Sequence, residues 1–127
     1  MTADRLLLDT HVFLWWRTDD PRLGAAAREA IAQADVVLVS AASAWEAAIK
    51  ARLGRLRLPQ PFASGVADSG FRELPVRFGH AERAAELPRH HDDPFDRMLV
   101  AQAEIQGLTL VTHDVAIWQY EISILRA

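Results

Sequence analysis

The chain has 127 residues, of which 50% are hydrophobic and 24% are charged. At about 150 residues per domain, this length predicts a single domain over residues 1–127. The composition is typical of a globular protein and excludes a disordered chain. There is no cysteine, which excludes a disulfide framework, a thiolate zinc site and a cysteine nucleophile. The net charge of −3 argues against a broad electrostatic contact with nucleic acid, so a nucleic acid would have to be held locally.

The first residues do not have the pattern of a targeting segment. The stretch from Met1 to Arg5 is polar, and Asp9 and His11 interrupt the apolar residues that follow. This pattern argues against a signal peptide. No apolar run reaches the roughly 18–20 residues that a bilayer-spanning helix needs. We therefore expect a cytoplasmic protein that makes no membrane contact.

Short apolar runs alternate along the chain with segments of helical pattern. The apolar runs predict strands over residues 5–8, 36–39, 71–76 and 108–111, and a short edge strand over 121–125. Capping residues and apolar periodicity predict helices over residues 10–17, 23–34, 62–69, 79–87 and 94–106, and a further helix from Ser40 or Ser43 to about Leu53. Pro59 and Pro61 interrupt the chain before the fourth helix. This alternation predicts an α/β fold whose mostly parallel sheet of about five strands is covered on both faces.

Four acidic residues stand where a parallel sheet would bring them to one edge. Asp9 directly follows the first strand and Asp114 follows the fourth, whereas Glu46 and Asp96 lie in predicted helices. Ligands of open parallel sheets bind outside the carboxyl ends of the strands. Glu46 has alanine, tryptophan and isoleucine as neighbours, so its burial would be costly without a cationic partner.

Each acid taken alone also has a structural explanation. Asp9 and Asp114 suit helix N-caps, and Asp93, Pro94 and Asp96 suit the N-cap, N1 and N3 positions of one helix. Carboxylates gathered at one edge repel each other, however, and a divalent cation removes that repulsion. Mg²⁺ and Mn²⁺ prefer such oxygen ligands, and a cation held in this way promotes cleavage of a phosphodiester. The pattern therefore favours a Mg²⁺ or Mn²⁺ site.

In order and spacing, four segments of the chain resemble the motifs of PIN-domain ribonucleases, above all the VapC toxins of bacterial type II toxin–antitoxin pairs. The segments are Leu6–His11, Ala44–Glu46, His90–Arg97 and Leu110–Asp114. The resemblance covers essentially the whole chain. It implies a single PIN-like domain with an α/β/α sandwich and a Mg²⁺- or Mn²⁺-dependent endoribonuclease activity. It also implies an RNA substrate and a homodimer that a VapB-type antitoxin silences.

The resemblance implies a role for each acid. The acidic quartet would consist of Asp9, Glu46, Asp96 and Asp114. Asp9 and Asp96 would bind the metal directly, and Asp114 would bind it directly or through water. Glu46 would orient or deprotonate the attacking water.

Residues beside the quartet are expected to support it. Thr112 matches a small hydroxyl residue that supports the site in this family, and Asp93 would add negative charge nearby. We interpret the segment His90–Asp93 as a helix cap and an exposed loop rather than a metal cluster, because adjacent loop residues rarely all face one ion.

Two further clusters each leave two interpretations open. The apolar cluster consists of Phe13, Trp15 and Trp16. It forms either plain core or a contact with the antitoxin or a second copy of the chain. The basic cluster consists of Lys50, Arg52, Arg55 and Arg57. It is either a solvated face or a contact with the RNA backbone.

Other functions fit the sequence less well. A phospho-receiver needs a lysine after the last strands, but the one lysine, Lys50, lies within a helix, and the third strand ends without an acid. The absence of a Gly-x-Gly-x-x-Gly segment argues against a dinucleotide-binding enzyme. A non-enzymatic PIN-like binding or regulatory domain is the remaining alternative, and the presence of the whole quartet argues against it.

Overall fold

The structure is a computed structural model, and it describes residues 5–58 and 60–127. The strands are β1 (Arg5–Leu8), β2 (Val36–Ser40), β3 (Arg72–Leu74), β4 (Thr109–Thr112) and β5 (Ile124–Arg126). The helices are α1 (Thr10–Thr18), α2 (Ala25–Gln33), α3 (Ala41–Arg52), α4 (Phe62–Asp68), α5 (Phe78–Glu86) and α6 (Pro94–Gln106). The expectations about the polar start of the chain (residues 1–4) and a break at Pro59 concern residues outside those described.

The strands form one parallel sheet in the order β3-β2-β1-β4-β5. The chain starts at the centre, moves outward to β3, and then crosses to β4 on the other side of β1. The strand order therefore reverses between β1 and β4, and a ligand crevice is expected there, at the carboxyl ends of both strands. The predicted α/β fold with a parallel sheet of five strands is confirmed.

The two faces of the sheet carry separate apolar cores. Leu6 and Leu8 point to one face, where they pack in a cluster that includes residues of α1, α2 and α4. Leu7 points to the other face and packs with residues of α6. All three leucines are fully buried, which explains why β1 is apolar at consecutive positions rather than at alternate ones. The layers form the expected α/β/α sandwich.

Helix ends that bear on the site follow from local capping chemistry. The side chain of Asp9 accepts a hydrogen bond from the backbone N–H of Val12 at 2.8 Å and begins α1. Asp93 accepts from the N–H of Phe95 at 2.8 Å and begins α6, with Pro94 as the first helical residue. Gly107 ends α6 with φ +65°, a conformation that glycine adopts without strain.

The structure corrects several predicted boundaries. The predicted third strand, 71–76, ends instead at Leu74, because Pro75 has no N–H to donate. The predicted fifth strand, 121–125, begins instead at Ile124, because a 3₁₀ turn (Ile117–Gln119) and the turn after it occupy the preceding residues. The fifth strand is an edge strand, as predicted.

Within residues 5–58 and 60–127, no helix has the length and apolar character needed to cross a membrane.

Candidate active site

Two aspartates lie at the point where the strand order reverses. Asp9 follows β1, and Asp114 lies two residues beyond β4, the strand that pairs with β1. A hydrogen bond ties the two strand ends together, because the hydroxyl of Thr112 donates to Oδ2 of Asp9 at 2.6 Å. The N–H of Asp114 in turn donates to the Thr112 hydroxyl oxygen at 3.1 Å. Thr112 therefore bonds to both aspartates, and its supporting role in the site stays a prediction.

Asp9 is a buried carboxylate with few compensating contacts. Its side chain is fixed by Val12 and Thr112, and the residue is only 6% exposed. Burial raises the pKa of the Asp9 carboxyl, and these hydrogen bonds lower it by a smaller amount. Each carboxylate oxygen accepts one of these bonds and keeps a lone pair for another partner. The position of Asp9 thus favours a cation beside it.

Glu46 enters the site from α3. It is 5% exposed, and its two carboxylate oxygens have different partners. The hydroxyl of Thr10 donates to Oε1 at 2.7 Å, and the ammonium of Lys50, one turn further along α3, donates to Oε2 at 2.8 Å. Lys50 is the cationic partner that the apolar neighbours of Glu46 led us to expect.

Asp96 and Asp114 meet across a histidine. Nε2 of His91 lies 2.8 Å from Oδ2 of Asp96 and 2.8 Å from Oδ2 of Asp114. Burial and then the neighbouring carboxylate of Asp93 raise the pKa of Asp96 to about 7. Desolvation lowers the pKa of His91, but its contacts with Asp114 and Asp96 outweigh that effect and hold the pKa above its ordinary value. The three side chains form one polar cluster, in which Nε2 of His91 lies between two carboxylates.

Asp93 acts as a helix cap at the edge of this cluster. Its Oδ1 accepts hydrogen bonds from the N–H groups of Phe95 (2.8 Å) and Asp96 (3.4 Å). Asp96 does not complete a capping box with it, since the carboxylate of Asp96 faces His91 and the Asp93 N–H lies 3.4 Å from Nδ1 of that histidine. The N-terminal position of Asp96 on α6 thus directs its carboxylate into the cluster.

All four acids of the predicted quartet line one cavity of about 310 Å³, together with Asp93. The cavity also contains His91, His113 and Lys50. The carboxylates come from four different places in the chain, namely the ends of β1 and β4 and the helices α3 and α6. The fold therefore brings the whole predicted quartet together.

The donor atoms in this cavity suit a hard divalent cation. Ligand atoms of His91, Asp96 and Asp114 all lie within 4.8 Å of one another. Asp9 adds a desolvated carboxylate whose pKa burial has raised. Carboxylate oxygens are the ligands that Mg²⁺ and Mn²⁺ prefer, and a cation there would neutralise charges that otherwise repel each other. The residues present fit such an ion.

The interpretation of His90–Asp93 as a cap and an exposed loop is wrong for one residue. Asp93 caps α6 and Asp92 is exposed, as expected, but His91 is half-buried and reaches the acids. The side chain of Arg97, in the first turns of α6, explains this placement. Its guanidinium donates to the carbonyl of His91 at 3.1 Å and to that of Leu87 at 2.8 Å, and so holds the loop against the helix.

The members of the apolar cluster and of the basic cluster lie in different environments. Phe13 is 1% exposed and packs in the core, which supports the core alternative for that residue. Trp15 is 8% exposed and Trp16 is half-buried, and a partner contact for them stays a prediction. Lys50 belongs to the cavity through Glu46, whereas Arg52 and Arg55 are exposed and do not line it.

Two features were not predicted from the sequence: the hydrogen bonds by which Arg97 holds the loop before α6, and one hydrogen bond within the site. Arg97 donates hydrogen bonds to the carbonyls of Pro88, Ala84, Leu87 and His91, and to the hydroxyl of Tyr120. Only its place directly after the Asp-Pro-Phe-Asp segment singles it out in the sequence. The contact of Thr10 with Glu46 spans 36 positions, and no local pattern announces it.

Comparisons with known proteins identify the family of the chain. Residues 6–122 match the family model of the PIN domain. The chain is 37% identical over 112 residues to Ribonuclease VapC22 of Mycobacterium tuberculosis, with 86% of each chain covered. The fold resembles that of VapBC2 from Rickettsia felis bound to a DNA fragment from its promoter, with a TM-score of 0.70, 13% identity and coverage of 96% of this chain and 98% of that one. It also resembles VapC20 of Mycobacterium tuberculosis, a Sarcin-Ricin loop cleaving toxin, with a TM-score of 0.65, 20% identity and coverage of 96% and 99%. The chain belongs to the PIN domain family.

Proposed function

We propose that the protein is a metal-dependent endoribonuclease of the VapC kind, the toxin of a toxin–antitoxin pair. The observation that carries the proposal is the convergence of Asp9, Glu46, Asp96 and Asp114 on one cavity at the point where the strand order reverses. The 37% identity with Ribonuclease VapC22 supports RNA as the substrate. Membership of the PIN domain family supports the same reaction class.

The two acids at the strand ends and the acid in α6 would hold Mg²⁺ or Mn²⁺. Asp9, Asp96 and Asp114 offer the carboxylate oxygens, and His91 offers a nitrogen next to two of them. A divalent cation, when bound, polarises water and the scissile phosphate and neutralises the charge that develops on the phosphate oxygens. Thr112 keeps Asp9 and Asp114 in register, and Asp93 orients α6 so that Asp96 faces the cavity.

Glu46 is suited to handle the attacking water. Its carboxylate is fixed by Thr10 at Oε1 and by Lys50 at Oε2, so it cannot turn away from the cavity. Each oxygen keeps a lone pair that can accept a hydrogen bond from water. We assign to Glu46 the orientation of this water and the acceptance of its proton.

The partners follow from the relatives. The resemblance to VapBC2 supports a VapB-type antitoxin as the inhibitor. We also expect the toxin to be a homodimer, as the family resemblance implies. Trp15 and Trp16 remain candidates for the antitoxin or dimer contact. The exposed arginines Arg52 and Arg55, together with Lys50, are candidates for contact with the RNA backbone.

The test is cleavage of total cellular RNA by the purified chain, with Mg²⁺ or Mn²⁺ and with a chelator. We expect discrete fragments that require the metal and disappear in Asp96→Asn. The matched control is Asp92→Asn, which makes the same change at an exposed acid in the adjoining loop, outside the cavity, and should leave cleavage intact. If wild type and Asp96→Asn cleave alike, the site does not act on RNA and the non-enzymatic binding domain becomes the better interpretation.

A further inference from the structure

A second cavity, of about 490 Å³, opens beside the acidic cavity. It is lined by residues of α1 and the turn after it, of the segments 55–58 and 60–61, and of α4. His11 and Trp15 line both cavities, so a strand of polymer bound in one can continue into the other. We call it the arginine cavity, for the four arginines that line it: Arg17, Arg22, Arg55 and Arg57.

The lining of the arginine cavity is strongly basic in an acidic protein. Asp20 is the one acid among the lining residues, and it is paired with Arg22 at 2.7 Å. Arg55 and Arg57 are exposed, and neither is paired with a carboxylate among the residues that the structure describes. The chain as a whole has a net charge of −3. Positive charge is therefore concentrated next to the acids and remains available to an anionic ligand.

The floor of the same cavity is apolar. It is formed by the half-buried side chains of Leu14 and Phe62, which are backed by the buried ring of Phe13. Gly65 also lines the cavity, and a Cβ atom at this position would lie 3.3 Å from Nε of Arg17, so the absence of a side chain leaves room for that guanidinium. Proteins that hold single-stranded nucleic acid combine cationic groups for the phosphates with apolar or aromatic surfaces for the bases. The arginine forks suit phosphate oxygens in particular.

We propose that the arginine cavity is a subsite for single-stranded RNA that holds the nucleotides next to the scissile phosphate. Arg55 and Arg57 bind backbone phosphates, and one base lies on the apolar floor. The inference rests on the proposed function, and it specifies the path by which the RNA strand leaves the acidic cavity. The strand passes His11 and Trp15, which separate the two cavities. The paired Arg22 lies over the ring of Trp15, 5.1 Å from its centroid, and helps to hold this wall in place.

The test measures binding of an RNA hexanucleotide by fluorescence anisotropy in chelator, which removes the divalent cation that cleavage by the proposed mechanism requires. The test variant is Arg55→Gln/Arg57→Gln. The matched control is Arg5→Gln/Arg72→Gln, which removes the same charge from exposed residues at the amino ends of two parallel strands, opposite the acids. We expect the test variant to raise Kd on the order of tenfold and to reduce the slope of log Kd against log salt by roughly 1.4, for two phosphate contacts. The control should change Kd by less than about twofold.

Several outcomes would overturn the subsite. Equal effects of the two double variants would mean that only net charge matters. An unchanged Kd for RNA in the test variant, with loss of binding to the cognate antitoxin, would make the cavity a protein-docking surface. Cleavage assays separate the two proposals, because a working subsite raises KM for RNA about tenfold in the test variant with a smaller change in kcat. If cleavage is normal and KM is unchanged, the subsite fails and the nuclease stands. If wild type does not cleave but binding depends on the two arginines, the nuclease fails and the subsite stands.

Discussion

Replacing Asp96 with asparagine is expected to stabilise the metal-free fold while it abolishes cleavage. Burial and the neighbouring acids raise the pKa of Asp96 from 3.8 to about 7. Each unit of pKa corresponds to about 1.4 kcal/mol, so ionising this carboxyl in the fold costs up to about 4 kcal/mol. A proton on His91, 2.8 Å away, offsets part of that cost. Because the neutral amide of asparagine avoids this ionisation, we expect Asp96→Asn to raise the free energy of unfolding by about half of the cost.

The pH dependence of the stability difference between Asp96→Asn and wild type shows whether the raised pKa of Asp96 is its cause. Because the pKa of Asp96 is higher in the folded protein than in the unfolded chain, its contribution to stability is complete below about pH 4 and is lost as pH rises to about 7. Between pH 5 and pH 8 the advantage of Asp96→Asn over wild type should grow by about 1–2.5 kcal/mol. Urea unfolding in chelator at the two pH values measures this difference, with Asp92→Asn as the exposed control. An advantage that does not grow with pH, or a variant less stable than wild type at pH 8, would refute the reasoning.

Two further predictions concern the residues that hold the site together. Thr112→Val should lower the free energy of unfolding by about 1–3 kcal/mol and reduce cleavage, because Asp9 loses its 2.6 Å hydrogen bond, whereas Thr112→Ser should restore both properties. Urea unfolding and RNA cleavage test this, and a valine variant that matches wild type would contradict it. Arg97→Lys should cost about 2–3 kcal/mol, because one ammonium cannot replace a guanidinium that bonds several carbonyls of the loop before α6. Arg83→Lys, at an exposed pair with Glu104, should cost less than about 1 kcal/mol, and equal costs would show that Arg97 does not support the loop.

The fold and the quartet were predictable because both follow from local chemistry. The apolar strand Arg5–Leu8 ends at Asp9, and the side chain of that residue both caps α1 and lies at the carboxyl edge of the sheet. The segment from Asp93 to Asp96 begins α6 by the same kind of capping. One short pattern therefore specifies the start of a helix and the location of an acid.

The contacts that tune the site were not predictable, because they join distant parts of the chain through side chains. The hydroxyl of Thr10 reaches Glu46 across 36 positions, and His91 reaches Asp114 across 23. The sequence places His91 in an exposed loop, because adjacent loop residues rarely all face one ion. The guanidinium of Arg97 reverses this outcome, since it fixes the carbonyl of His91 and thereby the direction of the imidazole. Such placement depends on packing that no periodicity in the sequence records.

The central position of β1 has a consequence for the synthesis of the protein. β1 is made first, but one of its two neighbours, β4, begins only at Thr109, and the bond from Thr112 to Asp9 closes a loop of 103 positions. Closing so long a loop costs conformational entropy, and non-local contacts of this kind slow folding. A nascent chain on the ribosome therefore carries Asp9 and Glu46 without the strand that completes their site. Under the proposed function, the chain therefore cannot cleave RNA until β4 and the residues after it have been synthesised.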